Sequence, residues 1–228
     1  MDALDLNVEE GELFALLGVN GAGKTTTIRM LTCLSKPTAG EAYICGKNAA
    51  TQSSAVKALV GISPQDTAVA ENLTVKENLE LAAKIYGFSK DKTEQRVSEM
   101  TQLFRLSDVL DSRAKTLSGG WKRKVSIAMA LISEPKVLFL DEPTLGLDVL
   151  ARRELWTAIE SLKGKITIIL TTHYMEEAEQ LSDRIAIMVE GRLCAIGSLD
   201  ELENISGEKG LENAFVKIAG QAMGGAEV

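Results

Sequence analysis

The sequence predicts an α/β fold with a mainly parallel sheet. Nearly continuous apolar runs of strand length alternate with amphipathic helical patterns, and such runs suit strands that are buried on both faces. The stretch from about 66 to 134 holds only helical patterns, which predicts a helical subdomain inserted into a core formed by 1–65 and 135–228. All 228 residues are therefore expected to form a single domain, with a small antiparallel β part and a frayed tail at about 220–228.

The strand predictions rest on short runs rich in β-branched and apolar residues. The last of them is expected to be an edge strand. In chain order the runs are LFALLG (13–18), EAYICG (41–46), LVGIS (59–63), VLFLD (137–141), ITIILTTH (166–173), RIAIMV (184–189) and RLCAIGS (192–198).

Helices are predicted where apolar residues recur three or four positions apart and so share one helical face. One helix is expected from Gly23 to about Leu34. The other apolar stripes are Val75, Leu79, Ala82 and Tyr86; Val97, Met100 and Phe104; Val125, Ala128, Met129 and Ile132; and Ala151, Leu155, Ala158, Ile159 and Leu162.

Composition excludes several classes of protein. With 45% hydrophobic and 25% charged residues, the chain is neither disordered nor collagen-like. A net charge of -7 without a basic run argues against nucleic-acid binding. Three cysteines without a C-x-x-C pair indicate neither a disulfide framework nor a zinc site, and fit a reducing compartment. Neither a signal peptide nor an apolar run of about 18 residues is visible.

The segment GVNGAGKTT (18–26) follows a predicted strand, precedes a predicted helix and matches the phosphate-binding pattern G-x-x-x-x-G-K-[ST]. Its glycines let consecutive backbone N–H groups point at an anion, and the helix adds its positive N-terminal end. Lys24 can reach the β- and γ-phosphates, and the Thr25 hydroxyl can bind Mg²⁺. The structural alternative is a tight turn with a capping threonine.

Two adjacent acids, Asp141 and Glu142, end the strand VLFLD at the edge where open α/β sheets bind ligands. Neighbouring carboxylates repel each other unless a cation or a proton is near. Asp141 therefore suits Mg²⁺, and Glu142 suits the orientation and deprotonation of an attacking water. The alternative is that both acids cap the next turn.

His173 is the single histidine of the chain and ends the strand ITIILTTH. Its ring could hydrogen-bond a γ-phosphate oxygen, or it could be a structural residue with satisfied partners. No second histidine exists to share a metal site.

LSGGWKRK (117–124) places Ser118, Gly119 and Gly120 at a predicted helix start, where exposed N–H groups and a hydroxyl suit an anion. The alternative is an N-capping serine followed by flexible glycines. The basic residues after Trp121 are expected on a solvated or phosphate-facing side.

Together the motifs resemble the nucleotide-binding subunits of ABC transporters over essentially the whole chain. They stand in the family's order, with 23 residues from Ser118 to Asp141 and 31 from Glu142 to His173. GVNGAGKTT is similar to Walker A, Gln65 in SPQD to the Q-loop, LSGG to the signature, VLFLDEP to Walker B, GLD (146–148) to the D-loop, and His173 to the switch histidine. TTHYMEEAEQLSDRIAIMVEGRL, GSLDEL and GLENAFVKIAG resemble the drug, antibiotic and sodium exporter ATPases with ABC-2-type permeases.

The resemblance implies a P-loop NTPase (RecA-like) core that binds ATP and Mg²⁺ and hydrolyses ATP. The implied ATP-binding residues are Asn20, Gly21, Ala22, Gly23, Lys24, Thr25 and Thr26. To these the resemblance adds Ser118, Gly119 and Gly120, which complete the partner's nucleotide site, and Asp148, which communicates across the interface. The implied metal-binding residues are Thr25, Gln65 and Asp141, and the implied catalytic residues are Lys24, Gln65, Glu142 and His173.

The resemblance also implies partners and a location. A second ATP-binding subunit would form a head-to-tail homodimer or heterodimer around two ATP molecules, and ATP binding would drive an integral membrane permease. The chain would then be cytoplasmic, on the inner face of the cell membrane. The alternatives are a catalytically impaired or regulatory ABC subunit, and an ABC ATPase that does not transport.

Two features depart from the family pattern. Trp121 occupies the fifth signature position, where the family usually has Gln, and it could pack against the helix or touch nucleotide.

The second departure is at the N-terminus. Family members usually carry one more N-terminal strand with an aromatic residue that stacks on adenine. Here no aromatic precedes Phe14, which we expect in the core, so the chain is either truncated or lacks that platform.

Overall fold

The computed structural model of the chain describes residues 4–224. Within this range the strands are β1 (Leu13–Leu17), β2 (Tyr43–Ile44), β3 (Lys47–Asn48), β4 (Val60–Ser63), β5 (Val137–Asp141), β6 (Thr167–Thr172), β7 (Arg184–Val189) and β8 (Arg192–Gly197). The α-helices are α1 (Lys24–Leu31), α2 (Ser53–Lys57), α3 (Val75–Ile85), α4 (Lys90–Leu103), α5 (Gly119–Leu131), α6 (Val149–Glu160), α7 (Met175–Leu181), α8 (Leu199–Ser206) and α9 (Leu211–Gly224).

Six of the seven predicted strands are confirmed to within one residue at each end. EAYICG is the exception, because only Tyr43 and Ile44 are extended and they pair antiparallel with β3. Cys45 and Gly46 have φ angles of 47° and 73°, so the chain reverses there in a two-residue turn. The predicted strand is therefore half of a small hairpin.

The chain divides into two compact units, and the first consists of Met1–Leu59 with Lys163–Val228. Its strands lie in the order β6-β1-β7-β8. β1 is parallel to both of its neighbours, and β8 is an antiparallel edge strand, as predicted. Leu17 lies opposite Thr172 at the carboxyl ends of β1 and β6, so the segments that follow these two strands begin side by side.

The helices α7, α8 and α9 cover one face of this sheet. Their buried side chains, including Leu202, Phe215 and Ile218, pack with Leu17 and Ile187 in one apolar cluster. α9 continues to Gly224, beyond the predicted start of the tail at about 220, and the buried residues of α9 end at Ala219. Residues 225–228 of that predicted tail lie outside the described part of the chain. Phe14 is fully buried in β1, as expected.

The second unit is Val60–Leu162 and contains the parallel pair β4 and β5. Ser63 lies opposite Leu140, so the segments after both strands leave at the same end. Between 66 and 134 the structure consists of α3, α4, α5, two 3-10 turns and their connections. The boundaries of the inserted helical subdomain, about 66–134, stay a prediction.

The predicted apolar stripes are largely buried in the helices of this second unit. Tyr86 departs from its stripe and is 46% exposed. It follows the last residue of α3, and the chain turns away at Gly87, which has a φ of 74°, so Tyr86 no longer lies on the packed face. Among the described residues, no helix is both long and apolar enough to cross a membrane.

Candidate nucleotide site

The loop between β1 and α1 has the backbone that a phosphate cradle needs. Gly21 and Gly23 adopt φ angles of 84° and 101°, which side chains with a Cβ rarely tolerate. Gly18 is required for a different reason, because a Cβ there would lie 2.4 Å from the carbonyl oxygen of Met188 in β7. The loop ends at Gly23, the N-cap of α1, so it leads directly into a helix N-terminus, the end of a helix that favours an anion.

Lys24 is buried within this loop, although lysine is usually exposed. Its Nζ donates hydrogen bonds to the carbonyl oxygens of Gly18 at 2.7 Å and Val19 at 3.3 Å. The ammonium group is therefore held against the backbone at the start of the loop. Thr25 and Thr26 follow in the first turn of α1, and both are exposed, as are Asn20 and Gly21.

His173 lies beside the start of the same loop. The N–H of Gly18 donates to the carbonyl oxygen of Thr172 at 3.3 Å, so His173 directly follows a residue that is bonded to the loop. Its ring is half-buried and contacts the ring of Tyr174, with 4.1 Å between the centroids. The first unit thus brings Lys24, the loop glycines and His173 to one end of its sheet.

The acidic pair belongs to the second unit and ends β5. Asp141 and Glu142 are both almost completely buried, with exposed fractions of 4% and 5%. Glu142 has a φ of 49°, a conformation that costs a residue other than glycine of the order of 1 kcal/mol or more. Two buried neighbouring carboxylates and a strained backbone are typical of a functional site rather than of a simple turn.

Gln65 follows β4 at the same end of this unit, with an exposed side chain. Its backbone is held by Arg123 of α5. The two terminal nitrogens of Arg123 donate to the carbonyl oxygens of Pro64 and Gln65, each at 2.6 Å. Sequence reasoning missed this contact, because Arg123 and Lys124 were expected on a solvated or phosphate-facing side. A solvated position is wrong for both side chains, which are 5% and 6% exposed.

The signature residues form the start of α5. Ser118 is the N-cap residue, yet its hydroxyl makes no capping hydrogen bond, which departs from the structural alternative of a capping serine. Ser118 and Gly119 are exposed, and a Cβ on Gly119 would meet no atom within 4 Å. A Cβ on Gly120 would lie 3.1 Å from the Cβ of Ala151, so the beginning of α5 packs against the first turn of α6.

Asp148 is the N-cap of α6. Its carboxylate accepts hydrogen bonds from the N–H groups of Leu150 and Ala151, both at 2.9 Å. Because Ala151 also contacts Gly120, the second unit brings the predicted D-loop and the signature together. The capping role was not predicted from the sequence, although an Asp before a helical stripe is a typical capping signal.

Trp121 is half-buried and lies beneath a cation. The Nζ of Lys124 is 4.5 Å from the centre of the indole, and it also pairs with Glu154 at 2.6 Å. This arrangement favours packing on α5 over the alternative of nucleotide contact, although the ring is not in the core. At the next residue, a hydrogen bond from Lys122 lowers the pKa of the Glu71 carboxyl, so this carboxyl stays charged at a lower pH than an ordinary glutamate.

Comparison with known proteins extends these observations. A family model described as ABC transporter matches residues 1–145. Phospholipid-transporting ATPase ABCA3 of Homo sapiens is 47% identical over 195 residues, which cover 86% of this chain and 11% of that protein. The Nod factor export ATP-binding protein I of Paraburkholderia xenovorans (strain LB400) is 43% identical over 200 residues, covering 87% of this chain and 66% of that protein.

A solved structure has the same fold. The dimeric post-hydrolysis state of the ATP-binding cassette MJ0796, bound to ADP and Pi, superposes with a TM-score of 0.77 at 27% identity, covering 85% of this chain and 88% of that one. This likeness confirms the predicted P-loop NTPase fold. The chain spans from about a tenth to about two thirds of the length of the curated relatives named here. With the family match and the motifs of both units in agreement, the chain belongs to the ABC transporter family, as an ATP-binding domain.

Proposed function

We propose that this chain binds and hydrolyses Mg-ATP, dimerises head-to-tail around two ATP molecules and drives a membrane permease, in an exporter. The observation that carries the proposal is the loop between β1 and α1. It combines two glycines at positive φ, a helix N-terminus and the buried ammonium group of Lys24. This combination suits a polyphosphate, because a glycine-rich loop that leads into a helix N-terminus favours an anion and the lysine adds a positive charge beside it.

The chemistry of hydrolysis is assigned to the acidic pair and the histidine. Glu142 accepts a proton from the attacking water, and His173 donates a hydrogen bond to the γ-phosphate. Gln65 contacts the region of the water and the metal and relays the nucleotide state towards the permease. The buried, strained position of Glu142 supports its assignment, because strain of this kind persists where function needs it.

Mg²⁺ fits the donor set that the motifs supply. Thr25 offers an exposed hydroxyl and Asp141 a carboxylate, and Gln65 adds an amide oxygen. Mg²⁺ prefers oxygen ligands and usually keeps waters and phosphate oxygens rather than a cage of side chains. Among residues 4–224 no group of three or more His, Cys, Asp or Glu side chains is arranged to hold a metal ion. When bound, the ion would neutralise charge on the β- and γ-phosphate oxygens.

The exposed residues at the signature support the proposed partners. Ser118, Gly119, Gly120 and Asp148 lie together and are open or nearly so, which supports their contact with ATP held by a second copy or a related chain. The names of the relatives, a phospholipid-transporting ATPase and an export ATP-binding protein, support an exporter. The chain would then work at the inner face of the cell membrane, bound to the permease.

The test compares molar mass in solution and ATP turnover. We expect Glu142→Gln to be a monomer without nucleotide and a dimer with Mg-ATP, because the amide retains the shape of the site but cannot take a proton. Its turnover should fall about 10²- to 10⁴-fold, the usual contribution of a general base. Lys24→Ala is the matched control: it should lose both turnover and the ATP-dependent dimer, since it removes the cation that binds the phosphates.

Two results would contradict the proposal. A chain that stays monomeric in every condition and does not turn over ATP would favour the impaired or regulatory subunit. Equal turnover in Glu142→Gln and the unmodified chain would remove Glu142 from the role of the base.

A further inference from the structure

Helix α5 lies along strand β4 through contacts that repeat at regular intervals. A Cβ on Gly61 would lie 2.3 Å from the carbonyl oxygen of Ala130, so the strand and the helix touch there. Two residues later, the hydroxyls of Ser63 and Ser126 are 2.9 Å apart and buried. A helical turn advances about 5.4 Å and two strand residues about 6.6 Å, so the two elements stay nearly in step.

Arg123 continues this series one turn further, where the strand has ended. Its guanidinium donates to the carbonyl oxygens of Pro64 and Gln65, each at 2.6 Å, and its side chain is almost completely buried. A planar group with two parallel donors fixes both position and orientation of what it binds. The backbone of Gln65 is thereby attached to α5 five residues after Ser118.

A second set of contacts ties the segment after Gln65 to the segment before the signature. Ala114 and Lys115 donate backbone hydrogen bonds to the carbonyl oxygens of Leu73 and Glu71, both at 2.9 Å. Lys122 of α5 also pairs with the Glu71 carboxylate at 2.8 Å. Ser63, before Gln65, is therefore bonded to Ser126, after the signature. Glu71 and Leu73, after Gln65, are bonded to residues just before the signature.

We infer that Arg123 is a positioning residue, which joins Gln65 to the helix that begins at the signature so that both move as one body. The inference rests on the proposed function, because it assigns Gln65 to the ATP held by this chain and Ser118–Gly120 to the ATP of its partner. A change at one nucleotide would then reach the other through a rigid connection of two hydrogen bonds and one helix. Arg123 itself touches neither nucleotide in this scheme.

Arg96 supplies a matched control. It is also a buried arginine that donates to two consecutive carbonyl oxygens, those of Leu131 and Ile132, at 2.6 and 3.1 Å. These oxygens lie at the opposite end of α5 from the signature. Arg96 also pairs with the carboxylate of Glu99, a contact that the charge of a lysine can retain. Replacing either arginine by lysine keeps the charge but removes the planar pair of donors, so the two variants should release opposite ends of α5.

The first experiment measures amide hydrogen exchange in the full chain without nucleotide. Arg123→Lys should raise exchange at least tenfold in residues 64–70 and leave residues 131–135 unchanged, whereas Arg96→Lys should do the reverse. Equal protection of residues 64–70 in Arg123→Lys and the unmodified chain would overturn the inference. If Arg123→Lys does not fold, Arg123→Gln, which keeps one amide group as a donor, carries the same comparison.

The second experiment separates positioning from general destabilisation by ATP kinetics. Arg123→Lys should lower kcat about tenfold and change KM for Mg-ATP less than about twofold, while Arg96→Lys leaves both near the unmodified values. In a Gln65→Ala background, Arg123→Lys should cause no further loss of kcat, since it acts through Gln65. Losses that multiply in the double variant would overturn the inference. An unmodified chain without turnover would contradict only the proposed function, because the exchange comparison still decides whether Arg123 holds Gln65.

Discussion

The Asp148 side chain has one observed role and one proposed role, and substitutions can separate the two. Its carboxylate caps α6, and its charge is proposed to act across the dimer interface. Asp148→Ala should lower the free energy of unfolding by about 1 kcal/mol, because two helix N–H groups lose their acceptor. Asp148→Asn should leave stability within about 0.5 kcal/mol, since Asn caps as well as Asp. Urea denaturation measures both.

The same pair of variants tests the proposed functional role of Asp148. If the charge is needed at the interface, Asp148→Asn should keep the fold and lose ATP-dependent dimerisation in the Glu142→Gln background. Normal dimerisation of Asp148→Asn together with impaired dimerisation of Asp148→Ala would show that capping is its whole contribution.

At the level of single elements, the packing of α5 on β4 depends on a glycine. Gly61→Ala would place a methyl group 2.3 Å from the carbonyl oxygen of Ala130 and 3.0 Å from the ring of Pro135. We expect it to lower the free energy of unfolding by about 1–3 kcal/mol, the usual cost of overpacking. The measurement is again urea denaturation.

Gly220→Ala is the control for that substitution. Gly220 lies in α9, where a Cβ would meet no atom within 4 Å, so alanine should stabilise the helix by up to about 1 kcal/mol. If Gly61→Ala were as stable as the unmodified chain, the close contact between β4 and α5 would be incorrect, and with it the support for the Arg123 connection.

At the scale of the whole molecule, ligand binding should appear as thermal stability. A ligand at 100 times its Kd stabilises the folded state by about 2.7 kcal/mol, and each kcal/mol shifts Tm by about 2–4 °C for a chain of this size. We therefore expect Mg-ATP to raise the Tm of Glu142→Gln by roughly 5–10 °C, as measured by calorimetry. Lys24→Ala should show no comparable shift in Tm. A shift of equal size in Lys24→Ala would show that Mg-ATP does not bind at the loop between β1 and α1.

The division of the whole chain was only partly predictable. The sequence indicated helices alone between about 66 and 134, and α3, α4 and α5 lie there. The compact unit, however, runs from Val60 to Leu162 and includes β4, β5 and α6. Whether the helical part behaves as a separate subdomain remains a proposal, because hydrophobic periodicity identifies elements but does not say which elements share contacts.

The sequence by itself determined six strands, the helices α1, α3, α4, α5 and α6, the glycine-rich loop and the position of the acidic pair. These features are local, because glycines at fixed spacing, nearly continuous apolar runs and carboxylates at a strand end can be recognised without knowing the fold. The tertiary structure decided what Arg123 and Gly61 do and why Lys124 is buried. It also decided that EAYICG supplies only one short strand of a hairpin. Arg123 reaches Gln65 across 58 positions, and such a contact exists only because α5 packs on β4, which no local pattern encodes.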